Sequence, residues 1–308
     1  MPSLSYVIKE PLSQGLRLDR FVSEHLRVLS RSQIKARNLI AKINGKEAKL
    51  SRPVKQGDLL ELIWDDSPVQ EIIAQNIPLE IIYEDERCVV VNKPQGLVVH
   101  PGAGNMQGTL ANALCYVKMQ RGTEAGAGTR PGIVHRLDKD TSGVIIAAWD
   151  EEAQAFLCEQ FKSRKVKKTY AAIVCGVPKE KNGRIETFIA RDPKDRKRFT
   201  VSERGKIALT FYKVVKSWQN YSLLLLRPRT GRTHQLRVHL RHIGHSILGD
   251  PLYGGSDKNF PDATLMLHSR DLAITLIGEK EESVFSSPIP DRFHNVMEKL
   301  DALGGTHG

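Results

Sequence analysis

His135, Arg136, Asp138, Lys139 and Asp140 fall within six consecutive positions of the stretch GIVHRLDKDTSG, Gly132 to Gly143. Carboxylates and guanidiniums are rarely buried unless paired, so a solvated loop is the default reading of such a stretch. Here apolar Ile133 and Val134 precede the charges and Val144 to Ala148 follow them, which puts the charges in a tight connection between two core strands. Two more charged clusters lie downstream: KKTYAAIVCG, with Tyr170, and LRPRTGRTHQLRVHLRHIGHSILGDPLYG, with its arginines and histidines. The three clusters supply a carboxylate able to act as nucleophile or base, a phenol and several guanidiniums. Ser142 lies in no GxSxG elbow, and no pair of carboxylates is spaced to hold a metal. Chemistry without a cofactor is expected. His234, His239, His242 and His245 include an i, i+3 pair on a helix, but Arg237 and Arg241 alternate with them and would repel a divalent cation, so no metal is expected either.

These clusters need a scaffold, and 308 residues with 40% apolar content suffice for about two domains. The 46 Lys+Arg against 35 Asp+Glu leave a formal charge of +11. That excess suits a polyanionic partner, nucleic acid before an anionic membrane surface. No apolar run follows Met1, and stretches such as Leu223 to Leu226 are far too short to span a bilayer, so a cytoplasmic protein is expected. Cys88, Cys115, Cys158 and Cys175 form no CxxC pair and read as reduced core residues.

In LDRFVSEHL, Leu18, Phe21, Val22 and Leu26 recur at helical spacing, and a second helix is expected from about Ser32 with Ile34, Leu39 and Ile40 turned inward. Turns at Asn44-Gly45 and Gln56-Gly57-Asp58 then separate short extended pieces. Between Gly15 and Trp64 there are 11 Lys+Arg against 5 Asp+Glu, so +6 of the net charge is concentrated there. Arg31, Lys35, Arg37 and Lys42 lie mostly off the apolar stripe, where they would neutralise phosphates. In the order LDRFVSEHL, SRSQIKARNLI, INGK, residues 15–65 resemble the S4 RNA-binding domain, of the αL type. The polar, proline-containing residues 66–78 read as a linker.

From Leu79 strands and helices alternate, with strands in LEIIY, CVVVN, TYAAIVCG, IALTFYKVV and YSLLLL and near Leu265 and Leu272, and helices in TLANALCYV, EAQAFLCEQF and HQLRVHLRHIG. The glycine-rich stretch from Gln120 to Arg130 reads as a mobile loop. The order is too irregular for a barrel of eight βα units or a doubly wound sheet. In YEDERCVVVNKPQGLVVHPGAGN, HRLDKDTSG and RTGRTHQLRVHLRHIGHSILGDPLYGG, nearly the whole chain resembles the RluA family of RNA pseudouridine synthases, and most of all its RluD branch.

The resemblance implies an α+β pseudouridine synthase domain over residues 79–303 with a central, largely antiparallel mixed sheet. It implies isomerisation of uridine in large-subunit (23S) ribosomal RNA, in a stem-loop: the base is detached at N1, turned and rejoined through C5 with no cofactor or metal. By the same resemblance Asp138 is the catalytic aspartate, Arg237 the arginine that pairs with it, and Tyr170 the active-site tyrosine, a base for the C5 proton that also stacks on the uracil. Arg136 matches the arginine that fills the space left by a flipped nucleotide, and His135, Arg232, His234 and Leu236 join the substrate contacts. These residue types suit the reaction, because glycosidic cleavage gives C1′ oxocarbenium character that a carboxylate stabilises or captures. A base inside a stem must first leave the stack. RDPKDRKR carries five basic residues in eight positions, among them Arg196, Lys197 and Arg198, expected to face phosphate. A monomer with ribosomal RNA as partner and no membrane contact is expected. Two rivals stand beside this: a non-catalytic ribosome-binding or assembly factor that keeps the fold as an RNA grip, against which the intact Asp138, Tyr170 and Arg237 set speaks, and a glycosidase that uses the same carboxylate but releases free uracil.

Overall fold

The computed structural model describes every residue except 14, 30, 66–71, 103, 123–131 and 304–308, and leaves out the side chains of Ser32 and Lys35. The chain divides into two compact units, Met1–Glu71 and Ile72–Gly308.

In the first unit a short α1 (Leu18–Arg20) runs on as a wider π-type turn over Phe21–His25, followed by α2 (Arg31–Ala36). These pack on an antiparallel sheet of β1 (Ser3–Val7), β2 (Ile40–Ile43), β3 (Lys46–Glu47) and β4 (Leu59–Ile63) in the order β1-β4-β2-β3. Leu18, Phe21, Val22, Ile34, Leu60 and Leu62 form its core. Two features differ from the sequence expectation. The unit begins before Gly15, because Ser3–Val7 pairs with Leu59–Ile63 along its full length. Ile40 is 50% exposed rather than turned inward, because it opens β2 on the solvent side of the alternation.

The second unit is built on an eleven-stranded sheet. Its path is β11 (Phe199–Val201), β10 (Asn182–Arg191), β12 (Lys206–Trp218), β13 (Tyr221–Pro228), β9 (Lys167–Cys175), β14 (Leu267–Thr275), β8 (Ser142–Ala148), β6 (Cys88–Lys93) and β5 (Glu80–Glu84). Off this path β7 (Gly132–Ile133) pairs with β8, and β15 (Glu282–Ser286) with β14. The pairings are antiparallel except β8 with β14, which run parallel over two residue pairs. Helices α3 (Leu110–Gln120), α4 (Glu151–Lys162), α5 (Gln235–His242) and α6 (Asp291–Leu303) complete the unit. All seven residues of β8 are buried, which is why it reads as an unbroken apolar run instead of an alternation.

Residues 72–78 do not behave as a linker. Ile72 packs against the core of this unit, the Gln75 amide donates to the Asn112 carbonyl at 3.0 Å, and the Asn112 side chain donates to the Ile73 carbonyl. Asn182–Arg191 and Asp291–Leu303 form a strand and a helix beyond those expected from the sequence pattern. The glycine-rich stretch read as a mobile loop lies largely in residues 123–131, outside the described residues.

Candidate active site

The charged stretch from His135 to Asp140 connects β7 to β8; because β7 pairs with the far end of β8, Ile133 opposite Ala147, the chain runs back along β8 before it turns sharply at Asp138–Thr141. The Thr141 amide donates to the Asp138 carbonyl at 3.1 Å. Ser142 and Gly143 then enter the parallel contact with β14. Gly143 has φ +109°, and a Cβ there would stand 2.1 Å from the Ser269 carbonyl oxygen, so only glycine allows the strands this close beside the turn.

A cation supports the turn from behind. Lys93, fully buried at the end of β6, donates through Nζ to the carbonyls of Pro94, Leu97 and Lys139 at 2.9, 2.8 and 3.0 Å. Burial lowers its pKa to about 8, against the opposing pull of the Asp140 and Asp138 charges. Gln95 donates to the Asp140 and Leu265 carbonyls, and the Gly96 amide to Lys139. The KPQG turn, read from sequence only as a turn, thus holds the Asp138 turn through its backbone.

Asp138 faces a cavity of about 500 Å³. Arg237 Nη1 lies 3.5 Å and His234 Nε2 3.9 Å from Asp138 Oδ2. The expected pairing of Arg237 with Asp138 is therefore secondary. The Arg237 guanidinium forks onto Asp250, Nε to Oδ2 at 2.8 Å and Nη2 to Oδ1 at 2.7 Å. Burial pushes the Asp250 carboxyl up, but Arg237 and the amides of Tyr253 and Leu252 outweigh it and hold the group below the usual carboxylate range. Asp250 escapes the sequence reading, although GDPLYG places an acidic residue in an otherwise uncharged turn.

His234 caps the start of α5 with φ +55°, and its Nδ1 lies 2.8 Å from the Tyr253 hydroxyl. Burial lowers its pKa, opposed by the charge of Asp138. Gln235 fixes the preceding RTGRT loop: its Oε1 accepts from Thr230 Oγ1 and the Arg232 amide, and its Nε2 donates to the Leu209 carbonyl.

Tyr170 stands on β9 opposite Leu226 and Ser269 and lines the same cavity. Burial, and less strongly the Asp138 charge, pushes its phenol up to about 12 although a Ser269 hydrogen bond opposes this. The hydroxyl is therefore protonated near neutral pH. The proton-acceptor role that the resemblance implies would need the phenolate, which burial makes more costly here than in a free tyrosine. Leu236, Arg136 and Arg232 also line the cavity, and Arg136 stands exposed with no ion-pair partner among the described residues. His135 lines it too, but its ring stacks on Phe161 at 4.4 Å and its Nε2 accepts from the Ile146 amide at 3.1 Å. With its pKa lowered to about 3 by burial, its role is to anchor the turn as a neutral ring.

Among the described residues, seven Lys and Arg line the cavity against one carboxylate, Asp138. Of the basic run after β10, Arg196 and Lys197 are exposed. Arg198 is turned in, with its guanidinium 5.6 Å from the Tyr253 ring centroid and donating to the Leu252 carbonyl, because the hairpin folds back on α5. His239 and His245 are held separately, by Thr210 and by the Cys175 carbonyl. In the first unit Arg31 and Lys42 are exposed, Arg37 is half-buried, and the Lys35 side chain lies outside the described residues.

The profile of RNA pseudouridylate synthases matches residues 87–242. The chain is 46% identical to "Ribosomal large subunit pseudouridine synthase D" of Borreliella burgdorferi over 94% of this chain and 90% of that one. It is 38% identical to the Pasteurella multocida protein of the same description, over 94% and 93%. The structure is similar to human RNA pseudouridylate synthase domain containing 1, with a TM-score of 0.60 and 28% identity over 76% of this chain and 91% of that chain. A scaffold that brings Asp138, Tyr170 and Arg237 to one basic cavity, matched along its length by these relatives, belongs to the RNA pseudouridylate synthase family, the isomerases that convert uridine to pseudouridine in RNA.

Proposed function

We propose that the protein isomerises uridines of large-subunit ribosomal RNA in a stem-loop, with Asp138 as the carboxylate that acts at C1′. Relatives described as large-subunit synthases support the substrate, at 46% and 38% identity over most of the chain. One observation carries the site: among the described residues, Asp138 is the only carboxylate lining a cavity otherwise rich in cations. The N1–C1′ bond breaks as Asp138 stabilises or captures C1′, and the electron pair leaves with uracil. The ring turns, C5 bonds to C1′, and the C5 proton is lost while N1 gains one, so no atom is added overall. Arg237, fixed by Asp250, aims Asp138. His234 orients it from the other side, Tyr170 and Leu236 pack against the base, and Arg232 and Arg136 meet the backbone and the vacated stack. No cofactor or metal is needed for an isomerisation of this balance.

On this reading residues 1–71 form an S4-like RNA-binding unit in which Arg31, Lys35, Arg37 and Lys42 meet phosphate. Arg196 and Lys197 do so on the second unit, and the protein acts as a monomer in the cytoplasm. Quantifying pseudouridine and free uracil after incubation with large-subunit RNA tests it. Pseudouridine without free uracil is expected. Free uracil would indicate a glycosidase, and binding with neither product a non-catalytic factor.

A further inference from the structure

The outer face of β10, β12 and β13 has no use in the reaction and carries an unusual array. On β10 and β12, Ile189 and Ala208 face α5 and form a small core with Val238 and Tyr253. Strand alternation sends their neighbours to the opposite side, where Phe188 is 48%, Ile207 42% and Phe211 39% exposed. The pairing registers align this side in rows. Arg184, Phe211 and Arg227 stand abreast, as do Asn182, Lys213 and Leu225, and these six border a shallow recess of about 560 Å³. Arg184 is paired with Glu186 on its own strand, whereas Lys213, Arg227 and Arg229 have no carboxylate partner among the described residues. Arg229 joins the two regions: it lines the Asp138 cavity, and its guanidinium lies 6.0 Å from the Phe211 ring centroid.

We propose that this face is a docking platform for the RNA strand that leaves the active-site cavity past Arg229. Phe211 and Phe188 stack on unpaired bases, and Lys213 and Arg227 track phosphates. The chemistry fits a single strand. An exposed aromatic offers a base its π-face whatever the sequence, and unneutralised cations at strand spacing meet a backbone. A neutral protein surface would leave three guanidinium or ammonium groups without counter-charge in the contact, whereas RNA supplies that charge along its length. The platform rests on the assignment of RNA as substrate and adds to it a path for the strand outside the cavity.

The test uses the full chain and an in vitro transcript of large-subunit ribosomal RNA, with binding measured at several salt concentrations. Phe211→Leu, which keeps the apolar volume, is expected to weaken binding about tenfold through lost stacking. Lys213→Ala with Arg227→Ala is expected to lower the salt slope by about 1.4, near 0.7 for each single-strand phosphate. In both, the single-turnover rate at saturating RNA stays as in the unsubstituted protein. A 4-thiouridine transcript should photocrosslink to the segment containing Phe211. Unchanged affinity and salt slope with no crosslink there would overturn the platform. So would a dimer that Phe211→Leu disperses while RNA binding stays the same, which would assign the face to a second copy. Binding and crosslinking need no turnover, so failure to form pseudouridine would refute the functional reading without touching this one.

Discussion

Asp250 holds Arg237 in a buried fork of 2.8 and 2.7 Å, and only the remaining Nη1 of that guanidinium reaches Asp138, at 3.5 Å. The arginine is thus shared unequally between a structural carboxylate and the one that faces the cavity. Removing the arginine leaves Asp250 charged in a site where its side chain has no exposure. Arg237→Ala is therefore expected to cost about 3–5 kcal/mol of stability as well as turnover. The paired replacement Arg237→Met with Asp250→Leu removes both charges and should regain much of that stability while staying inactive. Thermal melts alongside single-turnover rates separate the two effects, and a double variant with near-normal turnover would show that Asp138 does not need the guanidinium.

Asp138→Asn keeps the shape of the side chain and loses its charge. Pseudouridine formation should fall by roughly a thousandfold or more, as expected when electrostatic stabilisation at the reacting centre is lost. RNA affinity should change by less than about tenfold, because the cavity's seven cations remain. Substantial turnover by the Asn variant would remove Asp138 from the chemistry.

Tyr170 offers a sharper test through pH. With its phenol pushed up to about 12, the phenolate fraction rises about tenfold per pH unit between 7 and 9. If Tyr170 served as the anionic base, C5–H cleavage would climb by the same factor. A flat rate over that interval, followed with C5-deuterated uridine in single turnover, is expected of a neutral tyrosine that packs against the base.

Acid should destabilise the second unit early. Burial lowers the pKa of His135 to about 3 and those of His239 and His268 to about 4, against about 6.5 in an unfolded chain. Between these values the unfolded chain takes up protons that the native rings refuse, so stability is full above pH 6.5 and declines as pH falls. Each group contributes at most about 1.4 kcal/mol per pH unit. His135→Gln, which retains an acceptor for the Ile146 amide, should flatten the fall of melting temperature between pH 6.5 and 4. An unchanged slope would locate the acid sensitivity elsewhere.

Deleting residues 1–71 should leave a cooperatively folding, active remainder with weaker RNA binding. The core of the first unit is drawn from Ile8 to Trp64, and residues 72–78 pack against the second. An insoluble product, or one that binds RNA unchanged, would refute the division of labour.

Family membership is legible in the chain alone, because long ordered motifs such as HRLDKDTSG and RTHQLRVHLRHIG stand as contiguous strings. So are the strands flanking Asp138, since burial on both faces makes β8 a continuous apolar run. Which carboxylate holds Arg237 is not legible there. Asp138 and Asp250 lie 99 and 13 positions from that arginine, and sequence carries no distance, so the fork is settled only by the turn after α5 that seats Asp250 beneath it. Burial is equally invisible. Tyr170 and His135 have the residue types of a base and a substrate ligand, and only the packing around them, by desolvating their charged forms, pushes the phenol further from ionisation and keeps the imidazole neutral in acid. Lys93 is an unremarkable lysine in NKPQG until three carbonyls from two segments converge on it, a convergence that exists only once β6 and the Asp138 turn are folded together.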